Sequence, residues 1–441
     1  MSLSHKTQVT IVGGGFTGLA AAYELTKKGI QVTILEAEKE IGGLAAAFDV
    51  GGEKLDRFYH HWFTNDLEVM GLIRELGLND SVEINPTNTG VYYANNFFKL
   101  STPWDLLNFT PLGFFDRIRL GLLALRARQV KDWMALEDKT AHDWLRELGG
   151  QNVYRIIWQP LLKGKFGPYA EQVSAVWFWN KLKLRGGSRG KGGEERLAYF
   201  KGGFIALAEA LANKIQELGG RIELNAVVTK VELLDGVWST STPNGVVTSE
   251  RVIATTALPL VADMIRSWAS SDYISSLERI QYIGNVCLVL ELDRPLSKTY
   301  WLNVNDPSFP FVGVIEHTNF ERPETYGGRH IVYLSKYLPH TDRLYSMSAD
   351  EFLDYALPFL KIMFPKMDRD WIKAHHLWKA RWSQPVVEKH YSKLIPAVNG
   401  PKDGFYVCSM AQIYPEDRGT NYAIREGRII GKNIAELLIK A

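Results

Sequence analysis

The chain has 441 residues and little cysteine: Cys287 and Cys408 are the two it carries, with no C-x-x-C pair. Two distant thiols build no disulfide framework and suit a reducing compartment. No His or Cys spacing reads as a zinc site either, and no metal is expected. Charge of one sign is also lacking. Lys plus Arg number 51 against 49 Asp plus Glu, a balance that gives no support to a nucleic-acid partner. No uninterrupted apolar run reaches the ~20 residues that span a bilayer. The first eight residues are polar and carry no signal-peptide pattern. Together these absences predict a cytoplasmic protein. Its apolar and charged fractions are those of an ordinary globular chain, and its length suggests two to three domains.

What the chain has in abundance is aromatic residues, with 13 Trp that need large apolar surfaces to rest on. An aromatic-rich core or an aromatic-lined pocket would serve. Its most informative stretch is 8–43, QVTIVGGGFTGLAAAYELTKKGIQVTILEAEKEIGG. Val9–Val12 is a short β-branched run suited to a buried parallel strand. Gly13, Gly15 and Gly18 then form G-x-G-x-x-G, for a tight turn, close approach to a pyrophosphate, and close helix–strand packing. Leu19–Lys28 has helical spacing, and the helix N-terminus near Phe16 and Thr17 would offer free N–H groups to phosphates. A second strand, Gln31–Leu35, ends at Glu36 and Ala37. Glu36 stands about 20 residues past the glycines, where a carboxylate accepts from ribose hydroxyls. Strand, glycine turn, helix, strand and acid together predict a dinucleotide site. The pattern alone leaves NAD and FAD open.

With the pair Gly42-Gly43 behind the acid, the run from Val9 to Gly43 resembles the extended fingerprint of the flavin amine oxidase, protoporphyrinogen oxidase and phytoene desaturase superfamily. The resemblance implies FAD, with Gly42 and Gly43 beside the pyrophosphate. An arginine often follows the pair in that family; here Leu44 stands in its place. Other segments are similar to the family in the same order. Asp56-Arg57-Phe58-Tyr59-His60-His61-Trp62 corresponds to a segment near the flavin ring. Pro160–Gly167 resembles a P-L-L-x-x-K-F-G stretch. Gly202-Gly203-Phe204 opens a helix and leads to strands at Arg221–Leu224 and Ala226–Leu233, where Val227 and Val228 are placed by the adenine. Arg251–Pro259 resembles a V-I-x-A-T-P strand end. The closing segment, strand Gly404–Met410, loop Pro415–Asn421 and helix Tyr422–Leu438, would aim a helix N-terminus at the flavin. Ser409-Met410 replaces the usual Gly-Asp. The helix carries Ala423, Gly427, Gly431 and Ala435 at small-residue spacing.

The expected fold is α/β: a Rossmann-like FAD-binding domain of the GR2 type, interleaved with an α+β substrate domain built on an antiparallel sheet. The FAD domain would comprise 1–62, 195–265 and 386–441, and the substrate domain 63–194 and 266–385. Expected cofactor contacts are Gly13, Gly15, Phe16, Thr17, Gly18, Glu36, Ala37, Gly42, Gly43, Leu44, Val228, Ser409, Gly419, Thr420 and Asn421. Tyr59, His60, Tyr414 and Arg418 are the candidate catalytic residues, with Arg418 suited to a substrate carboxylate or phosphate. Adjacent His60 and His61 would point to opposite faces of a strand and would not share one site. The implied reaction is FAD-dependent oxidation of a small molecule, bulky and apolar, by hydride transfer from a C–H. The alternative is a flavin isomerase like UDP-galactopyranose mutase, which would need arginines such as Arg185, Arg189 and Arg381 for a nucleotide-sugar diphosphate. Ile118–Gln129 mixes leucines with Arg117, Arg119, Arg126 and Arg128. A basic amphipathic helix of this kind suits either a solvated face or a peripheral membrane contact through 101–130.

Overall fold

A computed structural model describes residues 4–99, 103–187 and 195–440; the side chains of Pro103 and of 184–187 are not described. The glycine- and arginine-rich run 185–193 therefore lies largely outside the described residues, Arg189 included.

The β-branched runs form one parallel sheet. Its strand order is Arg221–Glu223, Val32–Leu35, Val9–Val12, Arg251–Ala254, Phe405–Val407. Val9–Val12 and Val32–Leu35 are buried throughout, as both faces of such a sheet require. The chain thus enters the Rossmann-like layer early, returns from 221 to 254, and enters it again at 405. Helix Phe16–Thr26 follows the first strand, and helix Thr420–Lys440 follows the last. These two helices pack in parallel. Gly427 faces Thr17 and Ala20, and Gly431 faces Ala21 and Glu24, so steps of four run in the same direction on both. The small-residue spacing of the last helix is thereby accounted for.

The second sheet has seven strands in the order Ile372–Pro385, Tyr282–Leu292, His330–Leu338, Gly313–Glu316, Trp301–Val304, Thr89–Tyr93, Asn96–Lys99. It is antiparallel apart from the parallel pair Trp301–Val304 with Thr89–Tyr93. That pairing joins the hairpin 89–99 to strands far along the chain, which no local pattern could announce. The hairpin turns at Ala94 and Asn95, both with positive φ.

One expectation is corrected in detail. Ala226–Thr229 is not strand; regular pairing begins at Lys230. A helix runs from Phe114 to Gln129. Gly150, at φ 82°, breaks the helical run that begins at Ala141, and the chain resumes through a wide turn at Tyr154–Trp158 into helix Gln159–Phe166. Cys287 and Cys408 are both buried free thiols.

Candidate active site

The turn after the first strand is built by glycine. Gly13 has φ 109°, and a Cβ on Gly18 would sit 2.1 Å from the Gly13 carbonyl oxygen. Gly15 differs: a Cβ there would meet nothing within 4 Å. Gly15 is the N-cap of helix 16–26 and gives no side-chain cap, so the first N–H groups of that helix open onto free space. Gly43 faces the same space, its Cβ position 3.5 Å from the Gly15 Cα. Gly42 N–H donates to the Gly14 carbonyl at 2.9 Å and ties the two glycine loops together. An uncapped helix start with room for a ligand where side chains are absent is the cradle a pyrophosphate requires.

Glu36 lies beside this cradle. Its Oε2 accepts from Gly14 N–H at 2.6 Å, and its Oε1 accepts from Glu38 N–H at 2.9 Å. A carboxylate has about four acceptor positions, so capacity for ribose hydroxyls is left. Exposed Ala37 follows. Ala226 N–H donates to the Glu36 carbonyl at 2.8 Å, which brings the loop 226–229 alongside. Within that loop Val228 is buried, whereas Val227 is exposed. The Val228 N–H has no partner among the described residues. An adenine edge fits this free donor, and FAD fits the whole row from Val228 through Glu36 to the glycine loops.

Beyond the glycine loops lies a cavity of about 390 Å³. Leu44, Tyr59, His60, Arg418, Gly419, Thr420 and Asn421 line it together with Trp158, Leu162, Lys165, Trp177 and Phe178. The structure thus brings together residues from three distant parts of the chain. His60 and His61 both line it, contrary to the strand-alternation argument. Residues 57–61 belong to no strand and bend at 57–58, so the period of two does not apply. His60 stacks on Phe204, ring centroids 5.0 Å apart. Burial, and then the charge of Arg418, push its imidazole down to about 4, and its buried Nδ1 lacks a partner. His61 Nδ1 is 3.1 Å from the Tyr300 hydroxyl.

A charged cluster closes one wall. Asp417 Oδ2 stands 2.6 Å from Lys181 Nζ and 3.7 Å from Lys165 Nζ, and Gln384 Nε2 donates to its Oδ1 at 3.0 Å. Burial alone would raise the Asp417 carboxyl, but Lys181, Lys165 and Arg418 together hold it well below the ordinary carboxylate range. Arg418 donates to the Tyr337 hydroxyl at 3.3 Å, while its buried Nε has no partner. Burial pushes the Tyr337 phenol up, yet Lys165 and Arg418 outweigh it and lower the group. Burial lowers Lys165, whose Nζ lies over the rings of Tyr337 and Trp177 at 5.0 and 5.4 Å. Three cations thus gather around Asp417, while Asp66 and Glu195 also line the cavity. Burial pushes Tyr59 well up, within reach of Tyr337 and Ser335, and its ring meets Trp301 edge-on at 4.9 Å.

The other expected residues fall differently. Asn421 lines the cavity, but its side-chain Oδ1 accepts from Glu68 and Val69 N–H at 3.0 and 3.1 Å and so caps helix Leu67–Glu75. Tyr414 is not among the cavity residues; its hydroxyl donates to Glu137 at 2.6 Å and its ring packs on Trp133. Ser409 N–H donates to Gln412 Oε1 at 2.7 Å in a short turn after the last strand. Phe16 has its ring in the core, and Thr17 sits half-buried under Gly427. Sequence reasoning passed over Lys165, Lys181, Trp177, Tyr337 and Asp417 as site residues. Lys165 lies in the Pro160–Gly167 stretch and Trp177 in an aromatic-dense run, which were the available signals; Tyr337 had none. Among the described residues no group of three or more His, Cys, Asp or Glu is placed to hold a metal.

Comparison with known proteins shows the family and the fold. A family model described as flavin containing amine oxidoreductase matches residues 16–428. The coproporphyrinogen III oxidase of Bacillus subtilis (strain 168) is 23% identical over 64% of this chain and 66% of its own length, so the chain spans just under two thirds of that relative. The 15-cis-phytoene desaturase of Narcissus pseudonarcissus is 23% identical over 98% of this chain and 80% of its own. Among solved structures, cyclohexylamine oxidase from Brevibacterium oxydans IH-35A superposes with a TM-score of 0.71 at 15% identity, over 98% of this chain and 99% of that one. Reduced UDP-galactopyranose mutase superposes with a TM-score of 0.73 at 13% identity, over 98% and 96%. At such identities the structural likeness speaks for the fold alone.

Proposed function

The chain belongs to the flavin-containing amine oxidoreductase family, and from that premise we propose that it is an FAD-dependent oxidoreductase acting on a bulky, largely apolar small molecule that carries an anionic group. FAD, when bound, supplies the hydride acceptor for a substrate C–H. Segments 1–62, 195–265 and 386–441 hold the cofactor in this reading, and 63–194 and 266–385 hold the substrate. The observation that carries the substrate class is the group Lys165, Lys181 and Arg418 around Asp417, in a cavity whose lining also includes Trp158, Leu162, Trp177 and Phe178 and the acids Asp66 and Glu195. Arg418 lines the cavity, and a guanidinium suits a carboxylate or phosphate oxygen. A protonated amine would meet repulsion there. The aromatic walls position the apolar body and exclude water. Peripheral contact of 101–130 with a membrane belongs to the same reading.

The test is anaerobic mixing of the yellow protein with apolar acids, porphyrinogens, polyenes and amines, read by flavin absorbance. Bleaching by an anionic compound is expected, with Arg418→Ala raising the half-saturating concentration tenfold or more. Bleaching by amines alone would overturn the substrate class.

The isomerase reading has less support. Of its three arginines, Arg381 lies over the Trp382 ring at 4.7 Å and is not among the cavity residues. Arg189 and the Arg185 side chain lie outside the described residues. Turnover of a UDP-sugar only by reduced enzyme would restore that reading.

A further inference from the structure

Helix Phe114–Gln129 divides into three sectors. At roughly 100° per residue, Leu120, Leu123 and Ala127 share one side and are buried. They pack toward helix Ala141–Val153 and the cluster of Phe109, Leu112 and Ile156. On the opposite side Phe114, Phe115, Ile118, Leu122 and Leu125 fall within an arc of about 100°, and all are exposed, Phe114 at 62% and Phe115 at 77%. Between these sectors run two rows of arginine. Arg119 and Arg126 flank the apolar arc on one side, and Arg117 and Arg128 on the other. The neighbouring short helix Pro103–Leu107 extends the patch with Trp104, exposed at 75%, and Leu107. Arg117 fastens the two helices by donating to the carbonyls of Leu107 and Leu112.

An ordinary surface helix has one apolar stripe and one polar face. This one has a second apolar stripe that nothing in the described chain covers, bordered on both edges by cations. Exposed aromatic and leucine side chains in one patch mark an interaction site. The charges choose the partner. The helix carries four arginines against Asp116, which is half-buried and accepts from Asn152 Nδ2 at 3.0 Å. Arg126 and Arg128 are exposed and form no ion pair among the described residues. Arginine stems that flank an inserted apolar arc while their heads reach phosphates are the geometry of a helix lying in a bilayer interface, with Trp104 at the headgroup level.

We propose that this face docks on an anionic lipid bilayer, with Trp104, Phe114, Phe115, Ile118, Leu122 and Leu125 entering the interface and Arg126 and Arg128 binding lipid phosphates. The proposal deepens the membrane clause of the proposed function. Its test needs no turnover, so its failure would leave the redox reading standing.

The experiment is co-sedimentation of the flavin-loaded protein with vesicles of phosphatidylcholine, alone or with a third phosphatidylglycerol, at low and high salt. Binding to the anionic vesicles is expected, weaker to neutral ones and reduced by salt. Arg126→Ala/Arg128→Ala should lower partitioning about thirtyfold, and Phe114→Ser/Phe115→Ser at least tenfold. Ile362→Ser, an exposed apolar position on helix Ala349–Met363, should change nothing. Retained flavin absorbance reports that each variant is folded. Failure to bind anionic vesicles, or equal binding of the arginine variant, would overturn the proposal. So would a concentration-dependent dimer that Phe114→Ser/Phe115→Ser dissolves, because the face would then join two copies of the chain.

Discussion

Gly427 lies directly on Thr17: a Cβ at Gly427 would stand 2.3 Å from the Thr17 carbonyl oxygen. This contact sets the spacing of the two parallel helices whose N-termini frame the cofactor cradle and the cavity. Gly427→Ala should therefore push the helices apart, costing about 1–3 kcal/mol of stability and lowering flavin content in the purified protein. Thermal unfolding and the ratio of flavin to protein absorbance measure both. An alanine variant with unchanged melting and full flavin would refute the role given to this contact.

The glycines of the first turn should separate folding from binding. Gly18→Ala drives a methyl into the Gly13 carbonyl at 2.1 Å and is expected to give unstable protein. Gly15→Asp adds its side chain to open space at an extended φ of −75°. It should fold, and should lose FAD through steric filling and charge repulsion with the pyrophosphate. Circular dichroism and flavin content tell the two apart; a yellow Gly15→Asp protein would refute the phosphate assignment.

Asp56 predicts a pH dependence of stability. Its carboxyl is buried, accepting from Tyr199 Oη at 2.8 Å and Phe204 N–H at 3.1 Å. Burial outweighs those bonds and pushes it up to about 7. The unfolded chain releases this proton near pH 4. Between about pH 4 and 7 the folded state binds more protons, so stability falls as pH rises through that window and levels above it. The fall from this group is up to about 4 kcal/mol. Urea unfolding across that range should show a steeper decline for the native protein than for Asp56→Asn. Parallel profiles would count against the assignment.

His60, held down to about 4 by burial and then by Arg418, stays neutral through the physiological range. Its replacement in His60→Gln should leave the pH profile of flavin reduction unchanged in shape between about pH 5.5 and 7.5, near the ordinary histidine value. A bell limb in that range that vanishes with His60→Gln would show that the imidazole titrates there.

Asp417 is the anion around which Lys165, Lys181 and Arg418 gather. Asp417→Asn leaves Lys165 and Lys181 without their buried counter-charge and should destabilise the protein, seen as a lower urea midpoint. A variant as stable as the native protein would show that the cluster is solvated.

The strand, glycine turn and helix of 9–26 were legible because their hydrogen bonds close within a few residues and their apolar periods are local. Glu36 was legible for the same reason. So was the closing helix, whose stripe of Ala423, Gly427, Gly431 and Ala435 announced close packing. Its partner was not announced, since nothing in a stripe of small residues says which helix meets it. His60 and His61 were misjudged because a strand period was applied to residues that belong to no strand. Lys165 stood in a stretch that drew attention, but its pairing with Asp417 spans some 250 residues of chain and leaves no trace in local spacing.

By itself, the sequence determined the presence of a dinucleotide site, the parallel sheet's first strands and the lack of a cysteine framework, since each follows from local geometry or from counting. The tertiary structure decided what stands in the cavity. It set Asn421 to capping a helix that begins at Leu67, turned Tyr414 away toward Glu137, and gathered three cations around Asp417. Those outcomes depend on burial and charge pairing between segments hundreds of residues apart. Which side chains lose water together is settled only when the sheets and helices close on one another.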